Sequence, residues 1–357
     1  MKAVAVLPGV RDSLHVRDVP EPEPSDSEAL VRVLETGVCG TDVDINHGLF
    51  GDAPPGSDFL ILGHENVGVV ESAAGPLRAG DLVVGTVRRP CPDAVCAPCR
   101  ADQSDMCLTG NYTERGIKSR HGFMAEWYAE SPAYLVRVEP SLRPLAVLFE
   151  PLSVVEKGID HAWRMQQRLS WQPRRAIVLG AGPIGMLAAA VLRLRGLEVV
   201  ACAREPSGLF KDRHLAAAGI RYVSTSETPL HELGRLVGPA DVVVEATGAP
   251  EVVLPSTLLL ERNGVCILAS VTLGDKPVEV DAADWNQHMV IGNRLVVGTV
   301  NAGREHFEAA GRDLQAGDVR WPGWAARLIT RRLPFSEAPK ALKPMPGNIK
   351  TVVEFAG

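Results

Sequence analysis

Residues 176–196, AIVLGAGPIGMLAAAVLRLRG, decide the fold. A short apolar run leads directly into Gly180, Ala181, Gly182, Pro183, Ile184 and Gly185, and the residues that follow have the composition of a buried helix. A strand, a glycine turn and a helix in that order open a βαβ unit. Gly180 permits the tight bend, Gly182 lets the backbone approach a pyrophosphate, and Gly185 lets the helix lie close to its strand. The helix N-terminus then offers N–H groups and partial positive charge to phosphate. An ordinary strand-to-helix turn would use the same glycines, but the chain on either side favours the dinucleotide reading.

Downstream, strands EVVACA (198–203), YVS (222–224), DVVVEATG (241–248) and VCILAS (265–270) are expected. They are interleaved with helices FKDRHLAAAG (210–219) and VVLPSTLLLERNG (252–264). LVVGTV (295–300) would be the last strand of a parallel, doubly wound sheet. At the end of EVVACA, the position that reads the adenosine ribose is Arg204, where a guanidinium suits the 2′-phosphate of NADP. Glu205 follows and leaves NAD use open, and Arg204 would also serve as a solvated charge at a strand end.

Upstream the texture differs. KAVAV (2–6), ALVRVLETG (29–37), NVGVVE (66–71), GDLVVGTV (80–87) and YLVRV (134–138) are short strands separated by Gly, Pro and Asp, the spacing of a mainly β domain. A helix with apolar residues at Leu152, Val155, Ile159 and Ala162 leaves it, a helix over 304–315 follows the sheet, and KTVVEF (350–355) is expected to return to the first domain. The reading is a first, catalytic domain of residues 1–170 and 302–357, carrying a metal lobe at 88–110, with residues 171–301 inserted as the dinucleotide-binding domain.

The chain of 357 residues is 46% hydrophobic and 22% charged, which excludes a disordered segment or a small disulfide-stapled module. With 37 basic against 43 acidic residues, a phosphate-tracking nucleic-acid surface is not expected. The first residues contain no apolar run of signal-peptide length, and no stretch approaches a membrane span, so the expectation is a cytoplasmic enzyme. Residues 21–28, EPEPSDSE, read as an acidic surface loop.

Four of the seven cysteines, Cys91, Cys96, Cys99 and Cys107, lie within one short segment. Their spacing can wrap one tetrahedral zinc with every position filled, a structural site. Buried free thiols or redox chemistry are the alternatives; Cys202 and Cys266 sit in apolar strands as core residues. A second set is dispersed: Cys39 and Thr41 in VCGTD, His64 and Glu65 in LGHEN, and Glu150 in FEPLSVVEKG. One thiolate, one imidazole and one or two carboxylates leave a zinc with an exchangeable position, which catalysis requires.

VCGTD, LGHENVGVV, the four-cysteine lobe, EPLSVVEKG, GAGPIG and EATG, in that order, resemble the zinc-containing medium-chain dehydrogenase/reductase family over essentially the whole chain. VRRPCPDAVCAPC, YTERGIKSRHGFMAEW and VGTVNAGREHFEAA are similar to its glucose dehydrogenase branch, while EPLSV alone also resembles the polyol enzymes. The resemblance implies an α/β protein with a GroES-like mainly β catalytic domain and a Rossmann domain. It implies that Cys39, His64 and Glu150 hold the catalytic zinc, with Glu65 entering or leaving the shell. Thr41 would contact the reacting hydroxyl, and Glu114, Glu150 and Asn301 the sugar. Thr247, Ser270, Thr299, Val300 and Asn301 would lie along the cofactor beside the glycine turn. Asp44 stands where many members carry the proton-relay histidine, with His47 nearby. Val154 stands where the glucose branch has an acidic residue.

The expected activity is oxidation of an aldose, D-glucose first and galactose or xylose after it, at C1 to the lactone, with hydride passing to NADP or NAD. Two zincs per chain and a homodimer or homotetramer are implied. A sorbitol- or threonine-type secondary-alcohol dehydrogenase is the rival within the class. A non-catalytic NADP sensor is the rival outside it.

Overall fold

The computed structural model describes residues 1–274 and 276–355, and the chain divides into two compact units. The first comprises 1–153, 301–314 and 326–357; the second comprises 154–300 and 315–325.

Among the described residues, the first unit is built on a seven-stranded sheet. Its order is Leu135–Arg137, Leu82–Gly85, Glu65–Ser72, Ala29–Val38, Lys350–Glu354 and Ile329–Pro334, with Trp127–Glu130 also on Ala29–Val38. KTVVEF therefore does return to the first unit, antiparallel to Ala29–Val38 with Thr351 opposite Val38. The burial of Ala29–Val38 alternates along its first half because one face packs on the core with Val31, Val33, Val70, Phe123 and Val353. Two three-stranded sheets flank it. One is centred on Lys2–Val6; the other, Arg88–Arg89 with Thr113–Arg115 and Ser119–Arg120, brackets the cysteine segment in sequence and carries Glu114. Residues 21–28 form a loop, as expected.

The second unit holds a six-stranded, wholly parallel sheet. Its order is Arg221–Ser224, Glu198–Ala203, Arg175–Leu179, Ala240–Glu245, Leu260–Leu268 and Leu295–Gly298. The first strand of the unit lies centrally and the order reverses beside it, the doubly wound arrangement whose crevice lies at the carboxyl ends of the strands. Its strands read as continuous apolar runs because both faces are covered.

One helix is overturned. Instead of a helix over 252–264, the chain makes a single turn, Pro250–Val253, then a 3-10 turn, Pro255–Leu259, and is already strand at Leu260. Pro255 has no N–H to continue a helix, and Asn263, at φ +61°, sits in a bulge where the register against Ala240–Glu245 shifts. Two helices absent from the sequence reading, Leu230–Val237 and Ala282–Ile291, complete the unit. The second carried a legible start signal: Asp281 Oδ1 accepts from the N–H groups of Ala283 and Asp284.

Candidate active site

The four-cysteine segment folds around its own thiols. The ligand atoms of Cys91, Cys96, Cys99 and Cys107 all lie within 4.8 Å of one another, with Cys96 and Cys107 sulfurs 3.9 Å apart, and none forms a disulfide. Four sulfurs at about 2.3 Å from one ion are separated by roughly 3.8 Å, so the cage fits a closed tetrahedral zinc. Burial opposes ionisation of Cys107, but hydrogen bonds from Thr109 and Gly110 hold its thiol down at about 6, while burial pushes Cys99 up to about 12. A metal replaces those protons when bound.

The second set converges within the first unit. Cys39 caps the helix Gly40–Asn46: its Sγ accepts from Thr41 N–H at 3.4 Å, and its own N–H donates to Asp42 Oδ2 at 2.9 Å. Asp42 is fully buried; its Oδ1 accepts from Gly63 N–H at 3.3 Å and stands 3.5 Å from His64 Nδ1. One carboxylate thus ties the cysteine loop to the histidine loop. Burial works against both charges, yet attraction to His64 holds Asp42 low, and Asp42 together with Cys39 holds His64 well above its ordinary value.

Glu65 lies in register opposite Gly37, where any Cβ would collide with the Glu65 carboxylate. Gly37 is what admits that side chain. Lys350, from the returning C-terminal strand, donates to Glu65 Oε1 at 2.5 Å and to the Val38 carbonyl at 3.1 Å. The ligand atoms of Cys39, His64 and Glu65 lie within 4.8 Å of one another. Glu150, in the first turn of Phe149–Gln166, is not part of that triplet. It belongs to the same electrostatic group: burial raises its carboxyl to about 7, His64 and Lys350 oppose, and Glu65 and Asp42 add to the rise. Buried carboxylates crowded beside a thiol and an imidazole suit a divalent cation, and the donor set is that of an open zinc site.

Thr41, Asp44 and His47 share the Cys39 helix: Thr41 in its first turn, His47 at its C-cap, and Asp44 between them with its pKa raised by burial against the opposing charge of His47. Glu114 and Asn301 meet directly, Asn301 Nδ2 donating to Glu114 Oε1 at 2.7 Å. Asn301 is at φ +59°, a conformation that asparagine tolerates better than most residues.

In the second unit Gly180, at φ +107°, turns beneath the Ala246 carbonyl, which a Cβ would approach to 2.8 Å. A Cβ on Gly185 would overlap the Gly180 carbonyl, whereas nothing lies within 4 Å of the Cβ position of Gly182. No side chain caps the helix Pro183–Leu194 that starts there, so its first N–H groups stay available beside an open cradle, as a pyrophosphate requires. Ala181 is buried under the turn. Glu245, fully buried, organises the neighbouring strand ends. Its Oε1 accepts from Thr247 N–H and Oγ1 and from Gly248 N–H, its Oε2 from Ser270 Oγ at 2.6 Å. Thr299 Oγ1 donates to the Val154 carbonyl and Lys157 to that of Val300. Arg204 is exposed and makes no hydrogen bond or ion pair among the described residues, while Glu205 is engaged by Lys211 at 2.8 Å.

The sequence reading passed over Asp42, Lys350, Arg88 and Glu245. Asp42, Arg88 and Glu245 stood inside quoted motifs, VCGTD, VRRPCPDAVCAPC and EATG. Lys350 carried a weaker signal, a charge opening an otherwise apolar strand.

Residues 25–140 match the alcohol dehydrogenase GroES-like domain, and residues 143–355 the glucose dehydrogenase C-terminus. The chain is 48% identical to a glucose 1-dehydrogenase of Methanocella arvoryzae over 99% of both chains, and 42% identical to that of Thermoproteus tenax over 99% of both. The glucose dehydrogenase of Haloferax mediterranei, solved in complex with NADP, Zn and gluconolactone, superposes with a TM-score of 0.93 at 37% identity, all of both chains being covered. With its thiol cage, its Cys39, His64 and Glu65 cluster and its glycine turn, the chain belongs to the glucose dehydrogenase family of zinc-containing medium-chain dehydrogenases.

Proposed function

We propose that this protein is a zinc-dependent glucose 1-dehydrogenase that oxidises D-glucose at C1 to the lactone and passes the hydride to NADP. The observation that carries the reading is the convergence of Cys39, His64 and Glu65, with Glu150 in their field, in a chain that matches glucose 1-dehydrogenases from end to end. Residues 1–170 and 302–357 act as the catalytic domain and 171–301 as the cofactor domain.

Cys39, His64 and Glu150 would hold the catalytic zinc, and Glu65, whose carboxylate lies with Cys39 and His64 and is paired with Lys350, would enter or leave the shell. A bound zinc supplies a Lewis acid that makes the C1 hydroxyl more acidic, and the nicotinamide supplies the hydride acceptor. Asp42 keeps the His64 ring oriented. Thr41 takes the hydroxyl proton and relays it along its helix toward Asp44, His47 or solvent; the burial of Asp44 brings its affinity for a proton closer to what a relay at neutral pH needs. Glu114 and Asn301 hold the sugar. Gly180, Gly182 and Gly185 seat the pyrophosphate, Arg204 the 2′-phosphate, Thr247 lies along the cofactor, and Ser270, Thr299, Val300 and Asn301 flank the nicotinamide ribose.

Leu295–Gly298 ends the parallel sheet, and Val290, Ile291, Val296 and Val300 around it are exposed. An apolar edge with no further strand on it among the described residues invites a second copy, which supports a homodimer or a homotetramer built from it. No described helix is long and apolar enough to cross a membrane, and the free thiols suit the reducing cytoplasm.

The test is a sugar panel followed at 340 nm with both cofactors, together with zinc analysis. Activity on D-glucose with NADP and about two zincs per chain are expected. Cys39→Ser should abolish turnover and leave one zinc. Turnover of sorbitol but not of any aldose would reject the reading.

A further inference from the structure

Glu114 is paired with a buried cation as well as with Asn301. Arg88 lies directly opposite it across two paired strands; its Nε donates at 3.0 Å to Oε1, the oxygen that Asn301 also reaches, and its Nη2 stands in ion-pair contact with that oxygen at 2.9 Å. Two hydrogen bonds and an ion-pair contact therefore occupy Oε1, while Oε2 receives no hydrogen bond among the described residues. Both side chains are nearly buried, so the pairing is not a solvent-screened surface contact.

The guanidinium is itself fixed on two further sides. Its Nη1 donates to the Asp105 carbonyl at 3.1 Å, within the cysteine segment between Cys99 and Cys107, and its plane lies 3.7 Å from the centre of the Tyr112 ring. Tyr112 is in turn faced by Lys118, which donates to the Gly110 carbonyl.

We propose that Arg88 is a positioning residue for sugar recognition: held by the cysteine lobe and Tyr112, it locks Glu114 in one rotamer with Oε1 filled, so that Oε2 alone is presented to accept one sugar hydroxyl. The inference rests on the reading that Glu114 contacts the sugar. It makes the lobe a mount for the substrate subsite as well as a fold staple, and it makes specificity depend on a residue that does not touch substrate. Arg suits the task because a planar fork can hold one N–H on the carboxylate and another on a carbonyl at a fixed angle, which an ammonium cannot do.

The test uses the zinc-loaded enzyme with Arg88→Met, Arg88→Lys and Glu114→Gln, against glucose and its 2-, 3-, 4- and 6-deoxy analogues. Arg88→Met should raise KM for glucose by about tenfold while changing kcat by less than about threefold. The KM for NADP and the zinc content should stay as in the parent, and Arg88→Lys should recover part of the loss. The Arg88→Met penalty should vanish for the one deoxy sugar that lacks the hydroxyl received by Oε2.

If Glu114→Gln raises KM for glucose but Arg88→Met and Arg88→Lys do not, the positioning role is wrong and the sugar contact stands. If Glu114→Gln leaves KM unchanged, the sugar contact itself is wrong, and the inference goes with it. If Arg88→Met loses zinc, or if kcat and both KM values move together in it and in Arg88→Lys, Arg88 is structural only and the proposal is overturned.

Discussion

Replacing Lys350 by Met tests how the candidate metal centre is held. Glu65 and Lys350 are each 1% exposed, and the ammonium reaches Glu65 Oε1 at 2.5 Å and the Val38 carbonyl at 3.1 Å. Lys350→Met removes the ammonium and leaves the Glu65 carboxylate buried beside Asp42 and Glu150 without its ion-pair partner. Breaking a buried pair from one side costs about 3–5 kcal/mol, chiefly because the surviving charge stays desolvated. For a domain near 200 residues each kcal/mol moves the midpoint by about 2–4 °C, so calorimetry should show the first unit melting roughly 6–20 °C earlier. Glu65→Gln combined with Lys350→Met removes the orphaned charge and should recover at least about 2 kcal/mol of the loss. A bound zinc would offset the same charge, so the single variant should lose more stability after treatment with a chelator than before it. A Lys350→Met protein as stable as the parent, or a double variant no better than the single one, would refute the account of Glu65 as a charge that needs a cation.

Three further outcomes are expected. Gly185→Ala drives a methyl into the Gly180 carbonyl and should cost about 1–3 kcal/mol while weakening NADP in a fluorescence titration; unchanged affinity would contradict the close-packed turn. Arg204→Ala should lower kcat/KM for NADP by about tenfold and leave that for NAD within about twofold, read from initial rates with each cofactor. Glu130 is buried, and Arg89 and Arg115 hold its carboxyl down at about 2 against the opposing effect of burial. Since its folded pKa lies below the unfolded value, its stabilisation is present above about 4.5 and is lost as pH falls toward 2, some 3 kcal/mol in all. Urea midpoints of Glu130→Gln should therefore be lower than the parent's at neutral pH and converge with them in acid.

What was legible in the sequence is what short stretches of chain can carry. The six residues from Gly180 to Gly185 announce a turn because a Cβ on Gly185 would meet the backbone of Gly180 five residues earlier; the approach of Gly180 to the Ala246 carbonyl is a tertiary contact. The four cysteines announce a cage because their spacing alone lets one segment close on itself. Alternating and continuous apolar runs separated the mainly β unit from the parallel sheet. The helix expected over 252–264 failed because Pro255 and the bulge at Asn263 outweighed its apolar content, and Leu230–Val237 was missed although Leu230, Leu233 and Val237 recur at helical spacing.

Taken alone, the chain determined which chemistry to expect: a glycine turn for phosphate, a thiol cage, and separate ligand residues whose types together suit zinc. Only the tertiary structure decided which groups meet. Glu65 and Lys350 stand 285 positions apart and Glu114 and Asn301 187 apart, and each pair is brought together by strand register and chain return. Ligand types can be read from the sequence because they are properties of single side chains. The partners that orient and charge them are set by packing, where a buried group must find its counterpart wherever the fold places it.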